Sequence, residues 1–111
     1  MNKLEAQFKK NLKVEYVNGD RVVTYKGFPI WKTCVGLDKL QFSIYDPTKK
    51  EYSDDPDYYL LQCQDNLGDW FYYGRFHDED SLEEFLDKPH EYHTRQQRLM
   101  EEFFSRMRGI Q

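Results

Sequence analysis

The stretch of residues 57–76, DYYLLQCQDNLGDWFYYGRF, contains two apolar runs on either side of a turn-rich centre. The runs are residues 58–61 and residues 70–73, and residues 65–69 between them include Asp, Asn and Gly. Aromatic and branched residues favour strands, and turn residues between two such runs indicate a hairpin. Because both runs look apolar on both faces, we predict two central strands that are covered on each side.

A second hairpin is predicted upstream, around the dipeptide Asn18-Gly19. Both positions accept the positive φ of a two-residue turn. The turn pairs strand residues so that one face is apolar, with Leu12, Val14, Tyr16, Val23 and Tyr25. Downstream, Pro29 is expected to break the ladder before a short edge strand at residues 31–35. Alternation of apolar and polar residues predicts one more strand at residues 40–45.

Helices are predicted at both ends of the chain. The first covers residues 2–11, the second begins with a capping box at Asp80 or Ser81 and ends before Pro89, and the third covers residues 90–108, with a stop at Gly109. The second helix has a buried stripe of Leu82, Phe85 and Leu86. The third has a longer apolar stripe, which we expect to pack on the sheet: Tyr92, Leu99, Met100, Phe103, Phe104 and Met107. Helix, strands and two helices predict an α+β fold with a mostly antiparallel sheet of about five strands.

Composition favours one domain with a core of its own. The chain has 111 residues, of which 39% are apolar and 17% are aromatic. Neither a secretory segment nor an apolar run of membrane-spanning length is present, so we expect a cytoplasmic protein. The two cysteines, Cys34 and Cys63, are expected to be buried, reduced thiols, with a bridge between them as the less favoured alternative.

Charge is distributed unevenly along the chain. Residues 1–45 carry a net charge of +4, residues 46–91 a net charge of −10, and residues 92–111 a net charge of +2. Such an acidic middle segment favours basic partners and opposes direct binding of nucleic acid, whose phosphates it repels. Because the sequence also lacks a glycine-rich phosphate loop, and no other cofactor motif stands out, we predict no cofactor.

The three histidines provide an alternative hypothesis. His90 and His93 are three residues apart, so they can share one face of a helix, and His77 precedes the second helix. Three imidazoles are suitable ligands for zinc or another transition metal, although the spacing does not match a known zinc motif. A metal-free hydrolase is a further variant, in which His77 and His93 act with Tyr73, Arg75 and Arg95.

The favoured prediction is a small protein-binding module. The acidic segment interleaves carboxylates with tyrosines, and tyrosine is enriched where interfaces derive most of their binding energy. The predicted partner-binding residues are Tyr52, Asp54, Asp55, Asp57, Asp78, Glu79 and Asp80. Their carboxylates would steer a basic partner, including a nucleic-acid-handling protein that expects phosphates. We therefore expect an inhibitor or adaptor, similar in composition to phage and mobile-element factors. A homodimer formed through the C-terminal helix is a third alternative.

Overall fold

The computed structural model describes residues 2–108, which form three helices and six strands. In chain order these are α1 (Asn2–Lys10), β1 (Leu12–Val17), β2 (Asp20–Tyr25), β3 (Phe28–Lys32), β4 (Gln41–Tyr45), β5 (Tyr59–Gln64), β6 (Trp70–Phe76), α2 (Glu79–Asp87) and α3 (Pro89–Arg108). Short 3-10 helices lie at Leu37–Lys39 and Pro47–Lys49. The predicted α+β class and the order of helices and strands are confirmed.

The six strands form two antiparallel sheets rather than one. The first sheet has the order β1-β2-β3 and the second has the order β4-β5-β6. Residues 33–40 separate them, with a turn in which the Thr33 hydroxyl bonds the backbone of Val35, followed by a 3-10 helix. This irregular connection carries β4 away from β3, so the expected single sheet of about five strands is divided into two sets of three.

The first hairpin has the predicted register. Leu12 pairs with Tyr25 and Val14 with Val23, and Asn18 and Gly19 both have positive φ, of 52° and 84°. Tyr16 is on the apolar face, yet 77% of its surface is exposed. Because Tyr16 is next to the turn, the hairpin extends beyond the core at this end.

The predicted break at Pro29 is wrong, because β3 includes this residue. β3 is an edge strand, and its pairing with β2 shifts register between Val23 and Thr24, where Pro29 joins the ladder. A proline is tolerated at an edge or an irregularity because its missing N–H is then not required by a neighbouring strand.

The hairpin of residues 57–76 is confirmed as β5 and β6, with Gln64 opposite Trp70 and Leu61 opposite Tyr73. The Asp65 carboxylate accepts hydrogen bonds from the backbone N–H of Leu67 and Asp69, at 2.9 and 3.0 Å, and so shapes the turn. The expectation of two covered central strands is wrong. β6 is an edge strand, and β5 alternates between buried and half-buried residues, so only one face of the second sheet is covered.

Aromatic rings from both sheets meet in one core. Phe85 of α2 is within 5.4–6.1 Å, between ring centroids, of Tyr25, Phe28, Tyr73 and Phe76. Trp31 of the first sheet stacks on Phe42 of the second at 6.0 Å. The two sheets, α1 and α2 therefore share a single apolar interior, in which Leu82, Phe85 and Leu86 are buried as predicted.

α2 begins earlier than the predicted capping box. The Asp78 carboxylate accepts a hydrogen bond from the backbone N–H of Ser81 at 2.8 Å, so Asp78, and not Asp80 or Ser81, is the N-cap. At the other end, the Leu86 carbonyl accepts hydrogen bonds from Tyr25 and Gln7, and the Asp87 carbonyl accepts one from Lys26. Both ends of α2 are therefore held by specific polar contacts.

α3 is present as predicted, but its apolar stripe is not packed on a sheet. Tyr92 is half-buried against Phe76 and Phe85. Beyond it the stripe is exposed to solvent, at Leu99, Met100, Phe103, Phe104 and Met107. The helix stop expected at Gly109 lies outside the described residues.

Candidate partner-binding surface

The second sheet brings the predicted partner-binding residues to one of its ends. Tyr45 at the end of β4 pairs with Leu60, and Tyr59 at the start of β5 pairs with Phe76 at the end of β6. In an antiparallel sheet these positions lie at the same end of the strands. The segments of residues 46–58 and 77–80 therefore leave the sheet next to each other. We call this region the acidic end; it comprises Asp46, Tyr52, Asp54, Asp55, Asp57, Asp78, Glu79 and Asp80.

Part of the acidic end is occupied by internal contacts. Asp55 accepts a hydrogen bond from the backbone N–H of Tyr52 at 3.1 Å, which closes a turn below the exposed Tyr52 ring. Lys50 forms an ion pair with Asp57, and this hydrogen bond raises the pKa of Lys50. Asp78 caps α2, and its bond to the Ser81 N–H lowers the pKa of the carboxyl group. These three carboxylates therefore have structural partners.

The other predicted carboxylates face solvent. Asp54, Glu79 and Asp80 are exposed, and their side chains make no hydrogen bond or ion pair to any residue in the range 2–108. Asp54 precedes β5 and the other two open α2, so the free carboxylates come from both of the segments that meet at this end. They are the acids best placed to contact another molecule.

Two tyrosines at this end of the second sheet, Tyr45 and Tyr59, are affected by the negative charge of the nearby carboxylates. Burial raises the pKa of Tyr45, and the nearby Asp55 raises it further. Burial likewise raises the pKa of Tyr59, with added contributions from Asp46 and Glu79. Asp46 and Glu79 are far apart in sequence, and the fold brings both close enough to Tyr59 to affect the same pKa.

An open groove of about 720 Å³ leads from the acidic end along the outer, uncovered face of the second sheet. We call it the outer groove. Its lining comprises Tyr45, Asp55, Pro56, Tyr58, Leu60, Gln62, Tyr72, Gly74 and Arg75. The Arg75 guanidinium lies over the Tyr58 ring, 5.2 Å from its centroid, and Trp70 stacks on Tyr72 at 6.4 Å. The groove therefore offers aromatic faces between a carboxylate and a guanidinium.

Sequence reasoning missed the outer groove because it assigned the rings of residues 57–76 to the core. Tyr58, Leu60 and Tyr72 are exposed or half-exposed instead. One signal was available: Gln62 and Gln64 alternate with the buried Leu61 and Cys63, which is the pattern of a strand with one solvated face.

The histidines do not assemble a metal site. The His90 and His93 rings both lie against Phe28, with centroid distances of 5.3 and 5.2 Å. Within residues 2–108, no group of three or more His, Cys, Asp or Glu side chains is arranged to hold a metal ion. The arrangement of His77, His90 and His93 that the metal hypothesis needs is thus not formed in this part of the chain.

Part of the hydrolase constellation does come together. Tyr73, Arg75 and His93 line a cavity of about 210 Å³, which is smaller than the roughly 300 Å³ at which ligand pockets begin. Arg95 instead donates a 2.6 Å hydrogen bond to Glu84 and pairs with it. In the described part of the chain, no hydrogen bond orients His93 or Arg75. The geometry does not supply an oriented base beside a charge-stabilising group.

The cysteines are both free and have different environments. Cys63 is buried on β5 as predicted, and burial raises the pKa of its thiol to about 11, which leaves it protonated and unreactive at neutral pH. The expectation that Cys34 is buried is wrong. It lies in the irregular connection after β3, and its side chain is exposed.

Among the helices formed by residues 2–108, none combines the length and the apolar character that crossing a lipid bilayer requires. No protein-family model, curated protein or solved structure matches the chain.

Proposed function

We propose that this protein is a small binding module whose acidic end and outer groove engage a basic surface of a partner protein. The observation that supports this proposal is that the free carboxylates of Asp54, Glu79 and Asp80 lie in the segments at the end of the second sheet where Asp55 and Tyr45 line the aromatic outer groove. Clustered carboxylates accelerate the approach of a basic partner, and tyrosine and tryptophan supply contact area at low entropic cost.

The groove suggests how a partner segment is held. A lysine or arginine that reaches Asp55 would lay its aliphatic stem along Tyr58, since long basic side chains keep their apolar stems on apolar surfaces. Arg75, whose guanidinium lies over the Tyr58 ring, repels a second basic residue there. The groove therefore accepts a segment that is basic at one end and apolar or acidic at the other.

Nucleic-acid-handling proteins are a suitable partner class, because their binding surfaces are basic and select negatively charged groups. The exposed carboxylates would occupy positions that such a partner reserves for phosphates. In this role the protein acts as an inhibitor, of the kind that phages and mobile elements direct against host enzymes. An adaptor would use the same contacts and leave the partner active, so the partner's activity distinguishes the two roles.

The test is a pair of charge reversals in the full chain. The partner is first captured from a lysate of the native host and identified by mass spectrometry, and its affinity is then measured at 50 and 300 mM salt. Asp54→Lys/Glu79→Lys removes two free carboxylates of the acidic end without disturbing the cap or the turn. We expect a loss of affinity of about tenfold or more at low salt, and a weaker dependence on salt.

The matched control is Asp38→Lys/Asp69→Lys, which makes the same change of net charge at exposed positions at the opposite end of the second sheet, where β4 and β6 begin. We expect this variant to bind within about twofold of the unmodified chain, since it leaves the acidic end intact. If both variants lose the same affinity, the loss follows from the change of net charge alone, and the acidic end is not a specific binding surface. If the affinity changes neither with the salt concentration nor with the charge reversals, the proposal is refuted.

A further inference from the structure

The C-terminal half of α3 extends away from the rest of the molecule. Every residue from Leu99 to Arg108 is exposed, a length of about 15 Å at the rise of an α-helix. Leu99, Met100, Phe103, Phe104 and Met107 lie three and four residues apart, so they share one face. Each of them has between 48% and 59% of its surface exposed. We call this face the α3 stripe.

The area of the α3 stripe is unusual for a surface that has no partner. Side chains of this size have roughly 200 Å² each, so the five expose roughly 500 Å² together, near the upper limit for the largest apolar patch of a monomer. Two copies of the stripe in contact would bury about 1,000 Å², and the bordering side chains would bring this into the range of stable interfaces.

The charges beside the stripe favour a second copy of the same helix. Glu102 and Arg106 are four residues apart along one border of the stripe, and neither forms an ion pair with any residue in the range 2–108. In an antiparallel pair centred between Phe103 and Phe104, residue 102 is level with residue 105 of the second copy. Glu102 then lies one residue, about 1.5 Å along the helix axis, from the level of Arg106 of the second copy, within reach of that long side chain. The two-fold axis repeats this contact, because a two-fold interface is self-complementary.

The same alignment matches the apolar residues. Phe103 is level with Phe104 of the second copy, and Met100 is level with Met107 of the second copy. A ring therefore packs against a ring, and a flexible thioether against a thioether. Apolar side chains in the seam with opposite charges along its border are the pattern that sets partner choice and orientation between helices.

We propose that the α3 stripe joins two copies of this chain as an antiparallel helix pair, with a two-fold axis at Phe103–Phe104. This proposal concerns a different surface from the acidic end, and it holds whether or not a basic partner binds there. The pairing would leave the outer groove of each copy available and would present two grooves in one assembly.

The first test measures the mass of the full chain by sedimentation velocity between about 1 and 100 µM. We expect a dimer in the upper part of this range. Phe103→Glu/Met107→Glu should be monomeric throughout, with an unchanged circular dichroism spectrum, because both side chains are exposed and outside the core. A wild-type chain that is monomeric at every concentration would overturn the proposal. The α3 stripe would then be covered by a different molecule.

The second test examines the alignment by exchanging charges. Glu102→Arg and Arg106→Glu should each weaken the dimer by about tenfold, because each places like charges opposite one another at two symmetric positions. The double variant Glu102→Arg/Arg106→Glu should restore the dissociation constant to within about threefold. The circular dichroism spectra of the single variants should be unchanged, since an exchange of charges four residues apart would also restore a contact within one helix.

The control is Arg98→Glu, which makes the same charge change as Arg106→Glu on the side of the helix opposite the stripe. It should leave the dissociation constant unchanged. A dimer that the double variant fails to restore, or that Arg98→Glu weakens as strongly as Arg106→Glu, would refute the antiparallel pairing.

Discussion

Tyr25 links the first sheet to the end of α2. Its ring is fully buried, and its hydroxyl donates a hydrogen bond to the Leu86 carbonyl, which Gln7 also contacts at 3.2 Å. Carbonyl groups in the last turn of a helix lack partners within the helix, so a buried one requires an external donor. Tyr25 supplies this donor from a strand that is far from α2 in sequence.

Replacing Tyr25 by Phe should lower the free energy of unfolding by about 1–2 kcal/mol, because Gln7 is then the only side-chain donor to the buried carbonyl among residues 2–108. Urea unfolding at pH 7 measures this loss. Tyr16→Phe removes a hydroxyl from an exposed ring on the neighbouring strand and should change nothing. Equal effects of the two substitutions would show that the Tyr25 hydroxyl has no special role.

The same hydroxyl should make the protein sensitive to alkali. Burial raises the pKa of Tyr25 from 10.0 to about 12, with Asp87 adding to the increase. A pKa that is higher in the folded state gives stability that is complete below pH 10 and is lost as the pH rises through 12. The difference in unfolding free energy between wild type and Tyr25→Phe should therefore shrink across this window. A constant difference would contradict the assignment.

Gly74 adopts a conformation in β6 that a side chain would not tolerate. Its φ is +79°, and an added Cβ would lie 2.5 Å from Cε2 of the buried Phe76 ring. Gly74→Ala should cost about 2–5 kcal/mol, the sum of the backbone strain and the steric overlap. Gly19→Ala has the same backbone strain with open space around the new methyl group, so it should cost only about 1–2 kcal/mol. The difference between their chemical denaturation curves measures the overlap with Phe76.

At the scale of elements, the N-cap of α2 predicts a response to acid. Asp78→Ala should lower the urea midpoint at pH 7, whereas Asp78→Asn should largely preserve it, because the amide oxygen still accepts the Ser81 N–H. The hydrogen bond with Ser81 lowers the pKa of Asp78 below 3.8, so its contribution is present above that pH and is lost as the pH falls through the folded-state pKa.

Consequently the difference between wild type and Asp78→Ala should shrink below about pH 3.8, and the difference between Asp78→Asn and Asp78→Ala should not. Unfolding curves at pH 7 and pH 2.5 distinguish the two cases. If the two differences in stability change in the same way between pH 7 and pH 2.5, the backbone N–H of Ser81 is capped by a group other than the Asp78 carboxylate.

For the whole molecule, the shared ring cluster predicts a single unfolding transition. Phe85 contacts rings from both sheets and from α3, so Phe85→Ala should lower the free energy of unfolding by about 3–5 kcal/mol. Trp31 reports on the first sheet and Trp70 on the second. Fluorescence from each, measured with the other replaced by Phe, should give coincident transitions that shift together in Phe85→Ala. Phe71→Ala, which truncates an exposed ring, serves as the control and should shift neither by more than about 1 kcal/mol.

The sequence alone determined the local structure. Asn18-Gly19 specified the turn and the register of the first hairpin because both depend on residues within a few positions of each other. The apolar periods of residues 81–88 and 90–108 located α2 and α3 for the same reason. The acidic residues around the second sheet were also recognised from the sequence, since their charge requires no knowledge of the fold.

Only the tertiary structure decided what surrounds these elements. It divided the strands into two sheets, left Tyr72 and Trp70 on an open face, and brought Asp54 and Glu79 to the same end. It also placed the α3 stripe in solvent instead of on a sheet. Each of these outcomes depends on which distant strands pair and where the chain turns between them. An apolar periodicity reports that a face can be buried, and it contains no information about the surface that buries it.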